Sequence, residues 1–173
     1  KKNLASDWQI LSDEDGFLTK KRRSSNSDLY IFRGETTVDV PISKILSVFF
    51  DRSRRKDWVD RFAGQEDLEV KNRYDKVYWI RFKLPFFMSD RDYVLKLKAE
   101  PKPKTREMLI HIQSIIHPKK GKDSCCVRAQ AFGTFYRFVA RGQKTYLEVE
   151  VQTDPKGWIN EGEFYDNGKF KKG

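Results

Sequence analysis

Residues 87–98 read FMSDRDYVLKLK. From Tyr93 onward Tyr93, Leu95 and Leu97 fall on one parity, and Val94, Lys96 and Lys98 on the other. That period of two is the signature of a β-strand with one face in a core. The strand is headed by Asp90-Arg91-Asp92, three charges at the mouth of an apolar element. Burying an unpaired charge is expensive, so each of the three needs a partner or water.

Working outward, five further runs after Gly64 read as strands: LEVKNR, DKVYWIRFKL, REMLIHIQSIIH, SCCVRAQAFGTFYRFVA and KTYLEVEVQTD. Short turn-forming segments divide them, so an antiparallel meander is the simplest connection. Upstream, residues 17–24 and 28–38 read as two strands separated by Ser25-Asn26-Ser27. The opening LASDWQILSDEDG reads as a short helix or irregular arm that docks through Trp8, Ile10 and Leu11 and ends in an Asp15-Gly16 turn. Pro41 opens a helix in which Ile42, Ile45, Leu46 and Phe49 share a face. A second short helix is expected around RRKDWVDRF, with Trp58 and Phe62 at i and i+4. Two strands, two helices and six strands define an α+β fold with a curved antiparallel sheet.

The chain has 173 residues and is expected to form a single domain over 1–173. Its net charge of +10 favours an anionic partner. Basic clusters fall at loops and element ends, and AQAFGTFYRFV lacks the start of an RNA-binding strand, so nucleic acid is not expected. His111 and His117 have no nucleophile motif beside them, and no phosphate-binding glycine loop occurs. Asp90 and Asp92 share a face, but Arg91 between them favours ion pairing over a metal. Neither enzyme activity nor a cofactor is expected. Cys125 and Cys126 are adjacent, and neighbours on a strand point to opposite faces, so free thiols in a reducing compartment are expected. No run of about 20 apolar residues is present, and a soluble, cytoplasmic or peripheral-membrane chain is expected.

Several short motifs follow one another in a telling order: Phe32-Arg33-Gly34, Arg55-Lys56-Asp57-Trp58, Arg91-Asp92-Tyr93 after a Pro-containing loop, Ser114-Ile115-Ile116-His117-Pro118, Cys126-Val127-Arg128-Ala129 and Asp154-Pro155-Lys156-Gly157-Trp158. Together, over residues 28–159, they resemble the START domain, the module related to the steroidogenic acute regulatory protein. The resemblance implies a helix-grip fold, in which a curved antiparallel sheet wraps a long C-terminal helix around a tunnel for one lipid. It implies non-catalytic lipid binding and transfer between membranes. It also implies that Asp90-Arg91-Asp92 pins the strand below a loop over the tunnel, with Arg91 and Asp92 serving as a structural clamp rather than as lipid ligands. The sequence departs from the family at its end. Asn160 stands where the family has proline, and NEGEFYDNGKFKKG is poor helix, so the usual lid helix is not evident.

Candidate site residues follow from strand parity and the resemblance together. Val127, Ala129, Ala131, Gly133 and Phe135 share one parity, with small side chains that leave room above them. Leu147, Val149 and Val151 share another. The lipid-facing wall is therefore expected from Val127, Ala129, Ala131, Leu147, Val149 and Val151, with one parity of the strand around residue 80. If Tyr78, Ile80 and Phe82 face inward, Arg81 faces solvent; if Val77, Trp79 and Arg81 do, Arg81 is a head-group ligand. Phe86, Phe87 and Met88 lie in an apolar loop expected either to fold down as a small core or to form a membrane-entering tip, with Lys83 and the Arg54–Lys56 cluster meeting anionic head groups. The expected partners are one hydrophobic small molecule and, transiently, an anionic membrane, with the chain a monomer. Two alternatives use the same concavity: an enzyme such as a polyketide cyclase, and a module that holds a partner protein.

Overall fold

A computed structural model describes residues 7–156. The strands are β1 (Gln9–Glu14), β2 (Phe17–Arg23), β3 (Tyr30–Val38), β4 (Phe62–Asn72), β5 (Asp75–Phe82), β6 (Asp90–Lys102), β7 (Glu107–Ser114), β8 (Cys126–Arg128), β9 (Gln130–Arg141) and β10 (Lys144–Asp154). Between β3 and β4 lie α1 (Ile42–Phe50), a 3-10 turn (Arg52–Arg54) and α2 (Arg55–Trp58). The strands form one curved sheet in the order β1-β2-β3-β10-β9-β7-β6-β5-β4.

This departs from a simple meander in two ways. The last strand, β10, pairs with β3, so the helices carry the chain from the middle of the sheet to the far edge strand β4. The run expected as one strand over 124–140 divides at Ala129. Its first piece, β8, pairs in parallel with Asp90–Asp92 of β6, whereas β9 runs antiparallel between β7 and β10.

The N-terminal arm is a strand rather than a helix, because Asp15 and Gly16 both adopt positive φ (50° and 74°). Two such central residues make a tight hairpin turn whose twist suits flanking strands, and β1 folds back on β2. Ile10 and Leu11 are left exposed rather than docked. Trp8 is ringed by Lys20, Arg22 and Arg33, whose charged ends lie 4.7–5.6 Å from its ring. The second helix stops at Trp58; Arg61 turns the chain with φ of 54°, and Phe62 begins β4 instead of completing a helical turn.

Cys125 and Cys126 form a disulfide, against the expectation of free thiols. Cys125 lies in the turn before β8, so the opposed geometry of strand neighbours does not apply to the pair. The inference of a reducing compartment from free thiols therefore loses its premise.

The main core lies on the concave face. Its centre is built from Tyr78, Ile80, Leu95, Leu97, Ile110 and Phe138, and the apolar stripe of α1 packs against it. Phe49 anchors that helix: its ring lies 5.4 Å from Trp58, 5.0 Å from Tyr136 and 5.5 Å from Phe138. A smaller cluster of Leu68, Val77 and Val94, with Trp79 and Ile115 against it, sits on the opposite face.

Candidate functional site

The two clusters resolve the parity of β5. Tyr78 and Ile80 are buried and Phe82 half-buried on the concave side, whereas Val77 and Trp79 belong to the outer cluster. Arg81 shares that outer parity and donates to Asp90 Oδ2 from Nε at 2.8 Å, so it is not aimed at the concavity. Leu147 and Val149 also lie on the concave side, since Leu147 pairs with core Phe138, and Val149 with Tyr136. Val151 is half-buried on the same parity of β10, opposite Thr134.

The wall expected from Val127 to Phe135 is only partly continuous. Val127 is half-buried opposite Arg91, and Ala129 and Ala131 are buried in the core. Between Gln152 and Thr153 the register shifts, so that Ala131 faces Thr153 while Gly133 faces Gln152. This bulge swaps the faces of the strand beyond it. Gly133 and Phe135 therefore lie on the outer face, where Phe135 stacks on His111 at 4.4 Å. Tyr136 and Phe138 take the concave positions instead. Next to that stack a surface depression of about 640 Å³ is lined by Lys98, His111, Phe135 and Arg137. It lies on the side of the sheet away from Tyr78 and is a separate feature from the concavity.

The charged triplet is fully engaged. Asp90 takes Arg81 and the Leu84 backbone N–H (3.1 Å). Asp92 accepts from Arg128 Nε and Nη2, both at 2.9 Å, and from Trp79 Nε1 at 2.7 Å. Arg91 is buried and donates to three backbone carbonyls: Ser89, Pro155 at 2.7 Å and Lys156 at 2.8 Å. It thus ties the loop before β6 to the end of β10. In that loop Leu84 is buried and Met88 half-buried, while Phe86 and Phe87 are 101% and 73% exposed.

A second polar group lies on the concave side, where the sequence pattern was least informative. Arg55, in the middle of the RRKDW run, is only 4% exposed. Its guanidinium lies over the rings of Trp58 (4.9 Å) and Phe49 (5.6 Å). Its Nε and Nη2, together with Trp58 Nε1 and Gln65 Oε1, are buried with no hydrogen-bond partner among the described residues. Its neighbours Arg54 and Lys56 are exposed, so the basic cluster of residues 54–56 is split between surface and core. On the adjoining strand Lys76 is also buried, in line with Tyr78 and Ile80. Burial raises the pKa of both Tyr78 and Tyr136, keeping their phenols neutral donors. The alternation Lys76, Tyr78, Ile80, Phe82 was the available signal for Lys76, once the inward parity was known.

Among the described residues no group of three or more His, Cys, Asp or Glu side chains is placed to hold a metal. No helix among them is long and apolar enough to cross a membrane. The Gly157-Trp158 pair and the Asn160–Gly173 tail lie outside the described residues.

The curved antiparallel sheet packed against two short helices has the helix-grip fold of the START domain. The solved structures that share it include human STARD10 (TM-score 0.84, 20% identity, covering 95% of this chain and 67% of that one). Human StAR-related lipid transfer protein 5 also has a TM-score of 0.84, at 17% identity over 95% of this chain and 79% of its own. A STAR-related lipid transfer protein fragment from Xanthomonas axonopodis has a TM-score of 0.71, with 19% identity over 90% of this chain and 86% of that fragment. No family model matches the sequence, and no curated protein matches it either.

Proposed function

We propose that this chain binds one lipid on its concave face and carries it between membranes without altering it chemically. Arg55 is the observation that carries this reading. Two buried donor nitrogens without partners among the described residues cost on the order of 1–3 kcal/mol per group, and a bound head group with acceptor oxygens supplies the missing hydrogen bonds. The apolar side chains around it suit acyl or ring carbons, at about 0.8 kcal/mol per buried methylene. The solved neighbours named as lipid transfer proteins support the same reading. Ala129, Ala131, Tyr78, Ile80, Phe82, Leu147 and Val149 are the proposed wall, with Phe86 and Phe87 the proposed membrane contact on a peripheral, transiently bound protein.

The direct test is to incubate the purified chain with mixed-lipid vesicles, re-isolate it and weigh the complex by native mass spectrometry. A one-to-one lipid adduct is expected. Its absence with every lipid class would remove the proposal and leave the open-groove, protein-binding alternative. A variant sharpens the point. Arg55→Met is expected to raise the unfolding free energy by about 1 kcal/mol, since it removes unpaired buried donors. It should also cut lipid uptake by about tenfold or more, because a charge-assisted contact is lost. A less stable Arg55→Met protein with undiminished uptake would make Arg55 a purely structural residue.

A further inference from the structure

Among the described residues, the polar end of the concave face holds more positive charge than its carboxylates neutralise. Lys76 is 7% exposed, and among the described residues its ammonium makes no ion pair. The nearest recorded partner is the face of the Tyr78 ring, 5.8 Å away. Asp67, which pairs in register with Tyr78 across β4, attracts Lys76 but is already held by others. Its Oδ1 accepts from Gln65 Nε2 at 3.3 Å, and its Oδ2 faces Arg52 Nη1 at 3.5 Å. Arg55 lies near enough to act on Lys76 as a like charge. Burial lowers the pKa of Lys76; Asp67 offsets this in part, and Arg55 and Arg52 add to it. Two buried cations, Arg55 and Lys76, thus lie toward one end of an apolar concavity, and among the described residues Asp67, already held by Arg52 and Gln65, is the carboxylate that acts on Lys76.

We propose that Arg55 and Lys76 together select a lipid whose head group is a phosphate monoester. This rests on the lipid-binding reading above and narrows it. A monoester carries about −1.5 to −2 charge at neutral pH and has three terminal acceptor oxygens. It matches a planar guanidinium fork plus a point-charge ammonium. A phosphodiester head bearing a quaternary ammonium offers a single negative charge and brings a cation toward two others. A neutral head group leaves both cations uncompensated.

The test offers the intact chain vesicles doped with tail-labelled phosphatidic acid, phosphatidylcholine or diacylglycerol. Phosphatidylglycerol is held constant in the background to equalise surface charge, and retained lipid is counted after re-isolation. Phosphatidic acid is expected to be taken up about tenfold or more over phosphatidylcholine, as befits a second charge-assisted contact. In Lys76→Met that ratio should collapse toward unity, and Lys76→Arg should restore most of it. Equal uptake of the two phospholipids by the unmodified chain overturns the proposal without recourse to any variant. A preference that survives in a folded Lys76→Met protein overturns it as well. Uptake of diacylglycerol or phosphatidylcholine without a monoester preference defeats only this inference. Uptake of none of the three overturns this inference, and the lipid-binding reading falls with it only if the mixed-lipid mass spectrum also shows no adduct.

Discussion

Replacing Asp92 by alanine is expected to destabilise the fold by about 3–5 kcal/mol, the range for removing one member of a buried pair. Asp92 is fully buried, and its two oxygens satisfy both Arg128 and the indole of Trp79. Without it Arg128 keeps only the neutral Gly121 and Lys120 carbonyls and loses its counter-charge, while the Trp79 N–H loses its acceptor. For a chain of this size the melting temperature should fall by roughly 10 °C or more. The effect also has a pH signature. Desolvation alone would raise the Asp92 pKa, but the Arg128 and Trp79 hydrogen bonds and the nearby positive charge outweigh it and hold the carboxyl below its ordinary value. Between that lowered value and about 3.9 the unfolded chain binds more protons than the folded one. The stabilisation is therefore complete above pH 4 and is lost as acid carries the folded protein through its own lower pKa. Urea titrations at pH 7 and pH 3 should show a smaller acid loss in Asp92→Ala than in the unmodified protein. A neutral-pH loss under 1 kcal/mol would show that the triplet is not the pin it resembles.

The second large effect is expected in rate rather than stability. Phe86→Ser with Phe87→Ser removes two rings that touch little else than each other, with centroids 6.3 Å apart. Exposed substitutions of this kind usually move stability by within about 0.5 kcal/mol. Burying a phenylalanine in hydrocarbon is worth about 1.5–3 kcal/mol. Losing two such insertions should slow vesicle-to-vesicle transfer at least about tenfold. Leu84 and the Asp90 contact to its backbone are left alone, so the loop keeps its buried root. An early-melting double variant would assign the rings to packing. Normal stability with normal transfer would move the membrane contact elsewhere on the surface.

Much of the architecture could be read from side-chain period and turn chemistry, because each of those is local. The apolar stripe of α1, the inward set Tyr93, Leu95 and Leu97, and the alternation of β10 all appear in the structure as their spacing implied. What escaped was information held by a neighbouring strand. Two parities of β5 were equally apolar, and only contact with α1 on one side and Ile115 on the other distinguishes them. The bulge at Gln152 and Thr153 has no mark in the β9 sequence, yet it moves Phe135 to the outer face and brings Tyr136 inward. Arg55 was hidden for a different reason. In a run of six charged residues broken by one serine (51–57), an exposed face is the ordinary expectation, and nothing local singles out the one guanidinium that turns inward. Position 76 reads as surface lysine until its strand neighbours Tyr78 and Ile80 fix its side.

The pairing of β3 with β10 has a consequence for how the chain reaches its native state. Thr145 donates to the Val40 carbonyl 105 residues earlier, and Val38 pairs with Thr145. On a ribosome the N-terminal three-stranded unit emerges first and waits, one edge bare, until almost the whole chain has been made. Closing a loop of that length before any contact rewards it makes the rate-limiting search non-local, and a sheet so connected refolds in milliseconds to seconds rather than microseconds. During the wait β3 offers an unpaired edge to other chains. Stopped-flow refolding should therefore slow when β10 is weakened, for instance by Val149→Ala, if that closure belongs to the transition state. Yield from the cell should then depend on synthesis rate and on chaperones that shield the β3 edge more than on the stability of the finished fold.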